Sequence, residues 1–361
     1  MPLPILPSTR RINRRDIVRA SAAIAGASSF AALAGTRPAT TSGVAAQDAT
    51  SVTLALDWYP NANHAGIYVA QERGLFTEAG LEVEIVVPSD PTTVLQTVGA
   101  GRDTFGISYH SEVLFAREQE VPVVSIAALV QHPLNSLMVL EDSPIQTPAD
   151  LEGRSVAATG LPADEAFLET MLRGAGLSLD DVEIITVGYD LLPSVFSGRA
   201  DAVIGVYWTH ETILAEREGY PVRYLRVEEW GVPDYYELVL VTGESVVNDQ
   251  EETVRALLGA LQQGYEGAIA DPAAALDLLI AASPDLVRDV ELEGLDLLMP
   301  LWTENGTIPF GEQTTERWDA FGAWLKEEGL LADDVDVAAA WRGDLLPMTS
   351  PATPDTATPE G

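Results

Sequence analysis

LDWYPNANHAGIYVAQERGLF, Leu56 to Phe76, is the stretch whose reading decides the fold. The run into it, VTLALD from Val52 to Asp57, alternates, has the composition of a strand, and breaks at Pro60. Asn61, Asn63 and His64 then offer cap chemistry ahead of Ile67, Val69 and Ala70, and Gly74 stops the helix. In a sheet with helices on its faces the carboxyl ends of strands open on a crevice, so Asp57, Trp58, Tyr59 and Asn61 are expected to point into one. An exposed indole beside an amide and a carboxylate is a contact set for a small molecule. A Trp folded under its own loop, with Asn61 capping the helix, is the alternative.

The same scheme recurs along the chain. LEVEIVVPS (Leu81 to Ser89) reads as a strand, and PTTVLQTVGAG as a helix closed by glycines. Phe105 to Ser108 is a strand, followed by a polar turn at Tyr109 and His110, a helix to Glu120 and a strand from Val121. Alternation at this spacing predicts a mostly parallel sheet. Ser136 to Glu141 is a further strand, and the Pro- and Gly-punctuated DSPIQTPADLEGRS marks a crossing into a second lobe. There SVAAT is a strand, PADEAFLETMLRGAG a helix, VEIITVG leads to Tyr189, and the strand Ala202 to Val206 delivers Tyr207, Trp208, His210 and Glu211. GVPDYYELVLVTGE is the second crossing, a proline turn entering an apolar strand, and helices follow. Trp318, Phe321, Trp324 and Leu325 recur at core spacing and are assigned to packing.

Residues 1–46 are expected to be an export leader, 47–142 the first part of lobe I, 143–234 lobe II, 235–348 the return to lobe I with C-terminal helices, and 349–361 a disordered Pro/Thr tail. NRRDIVR places paired arginines before the small-residue apolar run Ala20 to Gly35, a pattern similar to a twin-arginine (Tat) signal, with cleavage expected after Val44-Ala45-Ala46. An uncleaved anchor is the other reading.

The chain has 361 residues, 20 basic against 55 acidic, for a net charge of −35. Residues 1–46 carry six Arg and one Asp, +5, so the remainder stands at −35 − 5 = −40. Such a surface repels phosphate backbones and anionic lipid, so no nucleic-acid partner is expected. With no cysteine there is no disulfide, thiolate nucleophile, Cys-ligated metal or lipid-bearing cysteine. His64, His110, His132 and His210 show neither HxxxH nor HExxH spacing, and Ser108 and Ser111 lack a GxSxG elbow. No metal, cofactor or catalytic residue is expected.

LDWYPNANHAGIYVAQERGLF, FGISYHSEVLFARE, PADLEGRSVA and PDYYELVLVT together resemble the solute-binding proteins of the NMT1/THI5-like group, especially those that bind thiamine pyrimidine precursors. The resemblance covers about Val52 to Pro347. It implies a type II periplasmic binding fold, two α/β lobes joined by two crossovers and closing on a ligand at the hinge. It further implies an exported monomer that delivers its ligand to the permease and ATPase of an ABC importer.

An aminopyrimidine is a flat π-system edged by an exocyclic amine and ring nitrogens, so it needs aromatic faces and a carboxylate or amide at its rim. Trp58, Tyr109, Tyr189, Trp208 and Tyr235 are the candidate faces, and Asp57, Asn61, Glu211 and Asp234 the candidate edges. Glu211 comes first, because it follows the strand-ending Tyr207 and Trp208 and the family places an acidic residue in that turn; a solvated first-turn glutamate is the alternative. A charge-assisted contact there is worth about 1.5 to 3 kcal/mol. Lys326 is the only lysine, and no Arg falls in the turns after Asp57, Ser108, Gly188 or Gly205, which disfavours sulfonate, nitrate or phosphate. Riboflavin, also flat, is the second ligand considered. An enzyme branch of the family makes the pyrimidine from a histidine and a vitamin B6 cofactor, and His110 falls near its sacrificial histidine. Here there is neither a Cys-rich motif nor a lysine near His110 to carry the cofactor.

Overall fold

A computed structural model describes residues 49–347 of the chain; the expected leader and tail lie outside the described residues. The strands are β1 (Thr50–Ala55), β2 (Leu81–Val86), β3 (Phe105–Ser108), β4 (Val123–Val130), β5 (Asn135–Leu140), β6 (Ser155–Ala158), β7 (Glu183–Thr186), β8 (Ala202–Tyr207), β9 (Val222–Arg226) and β10 (Leu238–Gly243). They form two five-stranded sheets, ordered β2-β1-β3-β10-β4 and β7-β6-β8-β5-β9. In the first, β1 lies parallel to β2 and β3 while β10 runs antiparallel to β3 and β4. The second repeats this plan, with β6 parallel to β7 and β8, and β5 antiparallel to β8 and β9.

The reversed strand of each sheet is the one that arrives from the other sheet. β5 follows β4 across the first passage and β10 follows β9 across the second. This corrects the expected boundary at residue 143. Asn135–Leu140 is already a strand of the second sheet, so the passage falls in the four residues between Val130 and Asn135. The Pro-rich stretch at Ser143 to Gly153 marks a turn within lobe II, because punctuation of this kind reports a chain reversal and not a change of sheet.

The helices are α1 (Ala65–Glu72), α2 (Leu75–Glu78), α3 (Val94–Gly99), α4 (His110–Glu118), α5 (Pro162–Gly174), α6 (Leu191–Phe196), α7 (Glu211–Arg217), α8 (Glu244–Asp249), α9 (Glu251–Ala270), α10 (Pro272–Ala282), α11 (Arg288–Trp302) and α12 (Thr315–Glu327). All eight residues of β4 are buried, as expected of a strand covered on both faces. Its outer edge is closed by isolated bridges to Gly311 and Trp341, which removes an open template for strand addition. α1 packs on α9 with almost no side chain between them: a Cβ on Gly264 would stand 2.2 Å from the Gly66 carbonyl oxygen. That approach seats the Tyr265 hydroxyl, which donates to the Asn63 carbonyl at 2.8 Å and pins the turn after β1. On α12, Trp318, Phe321 and Leu325 are fully buried and Trp324 packs partly buried against the same cluster. None of the described helices is long and apolar enough to cross a membrane.

Candidate functional site

The ends of β1, β3 and β8 converge on a cavity between the sheets. From the first sheet come Asp57, Trp58, Asn61, Tyr109 and Ser111, and from the second Asn135, Asp164, Phe167, Tyr207 and Glu211, with Glu237 from the second passage. As the lobes stand, the cavity is a narrow gap between them.

Local chemistry places the lobe I wall. Asn61 caps the single 3-10 turn Ala62–His64 by accepting from the Asn63 N–H at 2.9 Å. In return the Asn61 N–H donates to His64 Nδ1 at 3.1 Å, so the ring proton sits on Nε2 and is donated to Asp57 Oδ1 at 2.9 Å. The Tyr109 hydroxyl donates to Asp57 Oδ2 at 3.1 Å. Burial, reinforced by the Asp57 charge, pushes this phenol well above its ordinary range and keeps it a donor. Ser111, at the start of α4, lines the cavity with a buried hydroxyl that has no hydrogen-bond partner in the protein.

The opposite wall and the floor are acidic. Asp164, in the first turn of α5, accepts from Thr159 N–H at 2.8 Å and from its hydroxyl at 2.5 Å, and burial pushes its carboxyl up to about 6. Glu237 accepts at Oε2 from Leu134 N–H (2.6 Å), Asn135 N–H (3.1 Å) and the Tyr235 hydroxyl (2.9 Å), and at Oε1 from the Tyr207 hydroxyl (3.1 Å). Burial outweighs these four donors and holds its carboxyl at about 7. Because it lies in the second passage and its N–H partners at the end of the first, one carboxyl group ties both hinge segments beneath the cavity. Glu211 accepts from Tyr207 N–H at 2.9 Å and pairs with His210 Nδ1 at 3.1 Å. No arginine, lysine or histidine is among the wall residues.

Of the nine residues expected at the site, Asp57, Trp58, Asn61, Tyr109 and Glu211 line this cavity. Four do not. Trp208 faces away because successive side chains at a strand end alternate, and Tyr207 takes the inward position. Its indole N–H donates to the Pro133 carbonyl at 3.2 Å beneath the Arg226 guanidinium. Tyr189 lies behind Trp58, ring centroids 4.4 Å apart, with its hydroxyl donating to the Pro88 carbonyl across the lobes at 2.8 Å. Asp234 is in a surface ion cluster with His132 (2.8 Å) and Arg317 (3.1 Å). Tyr235 is fully buried between Phe167 and Phe321. Sequence reasoning missed Glu237, Asp164, Asn135, Ser111 and Phe167. For Glu237 the signal was a charged residue at the mouth of an otherwise apolar strand, which only a buried hydrogen-bond set makes tolerable.

His110 is apart from the cavity walls, boxed by Trp318 at 3.9 Å, Phe321 at 4.5 Å and Tyr236 at 5.4 Å. Burial holds its imidazole well below the ordinary range. Among the described residues, no group of three or more His, Asp or Glu is placed to hold a metal ion.

Two mixed sheets, joined by two passages, each with its reversed strand just after a passage, and meeting at a cavity over the hinge, define the type II periplasmic binding fold. The alkanesulfonate-binding protein of Xanthomonas axonopodis pv. citri superposes with a TM-score of 0.66 at 17% identity, over 82% of this chain and 99% of that one. The chain belongs to the NMT1/THI5 like family, whose model matches residues 61–275. It is 39% identical over 293 residues to the formylaminopyrimidine-binding protein of Halalkalibacterium halodurans, 79% of this chain and 88% of that protein. It is also 26% identical over 305 residues to the 4-amino-5-hydroxymethyl-2-methylpyrimidine phosphate synthase of Legionella pneumophila, 82% of this chain and 93% of that one.

Proposed function

We propose that this chain is an extracytoplasmic solute-binding protein that captures a thiamine-related aminopyrimidine, formylated or free, and hands it to the permease of an ABC importer without reacting with it. The observation that carries this reading is a narrow cavity walled by Trp58, Tyr109, Tyr207 and Phe167, rimmed by four carboxyl groups and free of arginine and lysine. Phenols and indole suit the faces of a flat ring, and carboxylates suit its amine and protonated nitrogen. The similarity to a formylaminopyrimidine-binding protein supports the same ligand class. Asp57 and Asn61 fix the lobe I turn, Trp58 and Tyr109 face the ring, and Glu211 takes its amine edge.

Two competing readings fare worse. Riboflavin, with three fused rings and a ribityl chain, would need the lobes to part further than a single pyrimidine ring does. The enzyme reading would set His110 at a reacting centre, and His110 is enclosed by three aromatic rings away from the cavity walls. Titration with 4-amino-5-aminomethyl-2-methylpyrimidine and its N-formyl derivative tests the proposal. Saturable quenching of Trp fluorescence with matching heat is expected; unchanged emission and no heat with either compound would refute the ligand assignment.

A further inference from the structure

A second cluster of charged side chains lies behind the cavity wall and belongs to both lobes. The Ala62 N–H, in the turn after β1, donates to Glu291 Oε2 at 2.7 Å. Glu291 Oε1 pairs with His210 Nε2 at 3.1 Å, and His210 Nδ1 pairs with Glu211 Oε1 at 3.1 Å. Glu211 Oε2 accepts from the Tyr207 N–H at the end of β8. The chain of contacts thus runs without a break from the cavity turn of one sheet to that of the other, through α11.

The rest of α11 is shaped for this position. It packs against the 3-10 turn Ala62–His64 on one side and against α7 on the other. One turn beyond Glu291, a Cβ on Gly294 would stand 2.7 Å from the Thr209 carbonyl oxygen and 3.5 Å from the Ala62 Cβ. Glycine is therefore required where the helix backbone meets both turns at once. On the outer side Arg217 of α7 and Glu293 of α11 form an exposed pair at 2.8 Å.

Both ring nitrogens of His210 face carboxyl oxygens, the arrangement that an imidazolium donating from each nitrogen satisfies. The charged groups that face it are Glu211 from α7 and Glu291 from α11; the lobe I turn contributes only the Ala62 backbone N–H. We propose that His210 is a positioning residue, an imidazolium latch that joins the two cavity turns through Glu291, holds Glu211 toward the ligand, and favours the closed arrangement of the lobes. Consistent with this, burial lowers the affinity of the ring for its proton, but the two carboxylates override it and hold the imidazolium to about pH 10.

The role of Glu211 rests on the aminopyrimidine reading; the latch itself does not. Opening of the latch leaves fewer molecules in the binding-competent state, so apparent affinity falls by that fraction. Nitrogen NMR of His210 in the ligand-free protein at pH 8, assigned by loss of the signal in His210→Phe, is expected to show hydrogen on both ring nitrogens. X-ray scattering of ligand-free His210→Phe is expected to give a larger radius of gyration than the unmodified protein. For 4-amino-5-aminomethyl-2-methylpyrimidine, His210→Phe should raise Kd about tenfold, mainly through faster dissociation. Because the two residues act as one unit, His210→Phe with Glu291→Leu should bind no more weakly than the worse single variant. A single N–H on His210 at pH 8, or additive losses in the double variant, overturns the latch. Failure of the unmodified protein to bind the pyrimidine, with both N–H signals and the larger radius present, overturns the ligand reading and leaves the latch standing.

Discussion

Tyr207 and Trp208 are adjacent in the chain and serve opposite sides of the same wall: the Tyr207 hydroxyl reaches Glu237 at the cavity floor, while the Trp208 indole is fastened to the Pro133 carbonyl outside it. Of Trp58 and Trp208, only Trp58 lines the cavity and is therefore expected to report a ligand. Trp58→Phe is expected to abolish ligand-dependent quenching and Trp208→Phe to retain it, as a fluorescence titration of each variant would reveal. Quenching lost with Trp208 and kept without Trp58 would reverse the assignment.

Glu211→Gln keeps the side chain's length and its acceptor for the Tyr207 N–H but removes the charge. Affinity for the aminopyrimidine should drop by about tenfold or more, the equivalent of about 1.5 to 3 kcal/mol for a charge-assisted contact. Calorimetry at neutral pH measures it, and equal affinity would move that role to Asp164 or Glu237.

Stability should fall as pH rises above the acid range. Burial raises Glu112 to about 8, Glu237 to about 7 and Asp164 to about 6 in the folded protein. Between the unfolded carboxyl range and these values the folded state binds more protons, so each group lowers stability by up to about 1.4 kcal/mol per pH unit until its folded value is passed. His210, raised to about 10 against the opposing effect of burial, adds the same sign above the ordinary imidazole range. Thermal unfolding should therefore show a higher midpoint near pH 5 than near pH 8, and the reverse order would contradict the buried, protonated carboxyls.

Gly264→Ala should cost about 1 to 3 kcal/mol, because the new methyl would stand 2.2 Å from the Gly66 carbonyl oxygen and force α1 from α9. The displacement is passed to the turn held by Tyr265, so ligand affinity should fall together with the melting midpoint. Loss of stability with unchanged affinity would separate the helix contact from the site.

Much of this architecture was legible because its signals are local. Strand and helix alternation declared the α/β layers, though each sheet is mixed and not mostly parallel, the two-lobed plan came with the family resemblance, and Asn61, with His64 three residues on, declared the cap that shapes the lobe I wall. What stayed hidden depends on register or on distant partners. Whether Tyr207 or Trp208 faces inward is decided by a single-residue phase that no composition records. Asn135–Leu140 reads as a strand in isolation, and only its antiparallel pairing with β8 and β9 reveals its lobe. Asp164 looks like an ordinary first-turn acid until Thr159 and the cavity are placed beside it. Tyr235 shows the converse error, since an aromatic at a crossing suggests a ligand face and here fills the core.

The return of β10 to the first sheet bears on how the molecule is made. A ribosome releases β1 to β4 early, yet β3 and β4 cannot be joined until β10 has emerged to lie between them, after the entire second lobe. During that interval an apolar half-sheet waits with unpaired edges, the kind of state that is prone to aggregation. Folding of the first-made lobe is thus timed by the last strand to appear, and cutting the gene at the first passage would leave an N-terminal fragment that lacks β10 beside a C-terminal fragment that holds every strand of the second sheet.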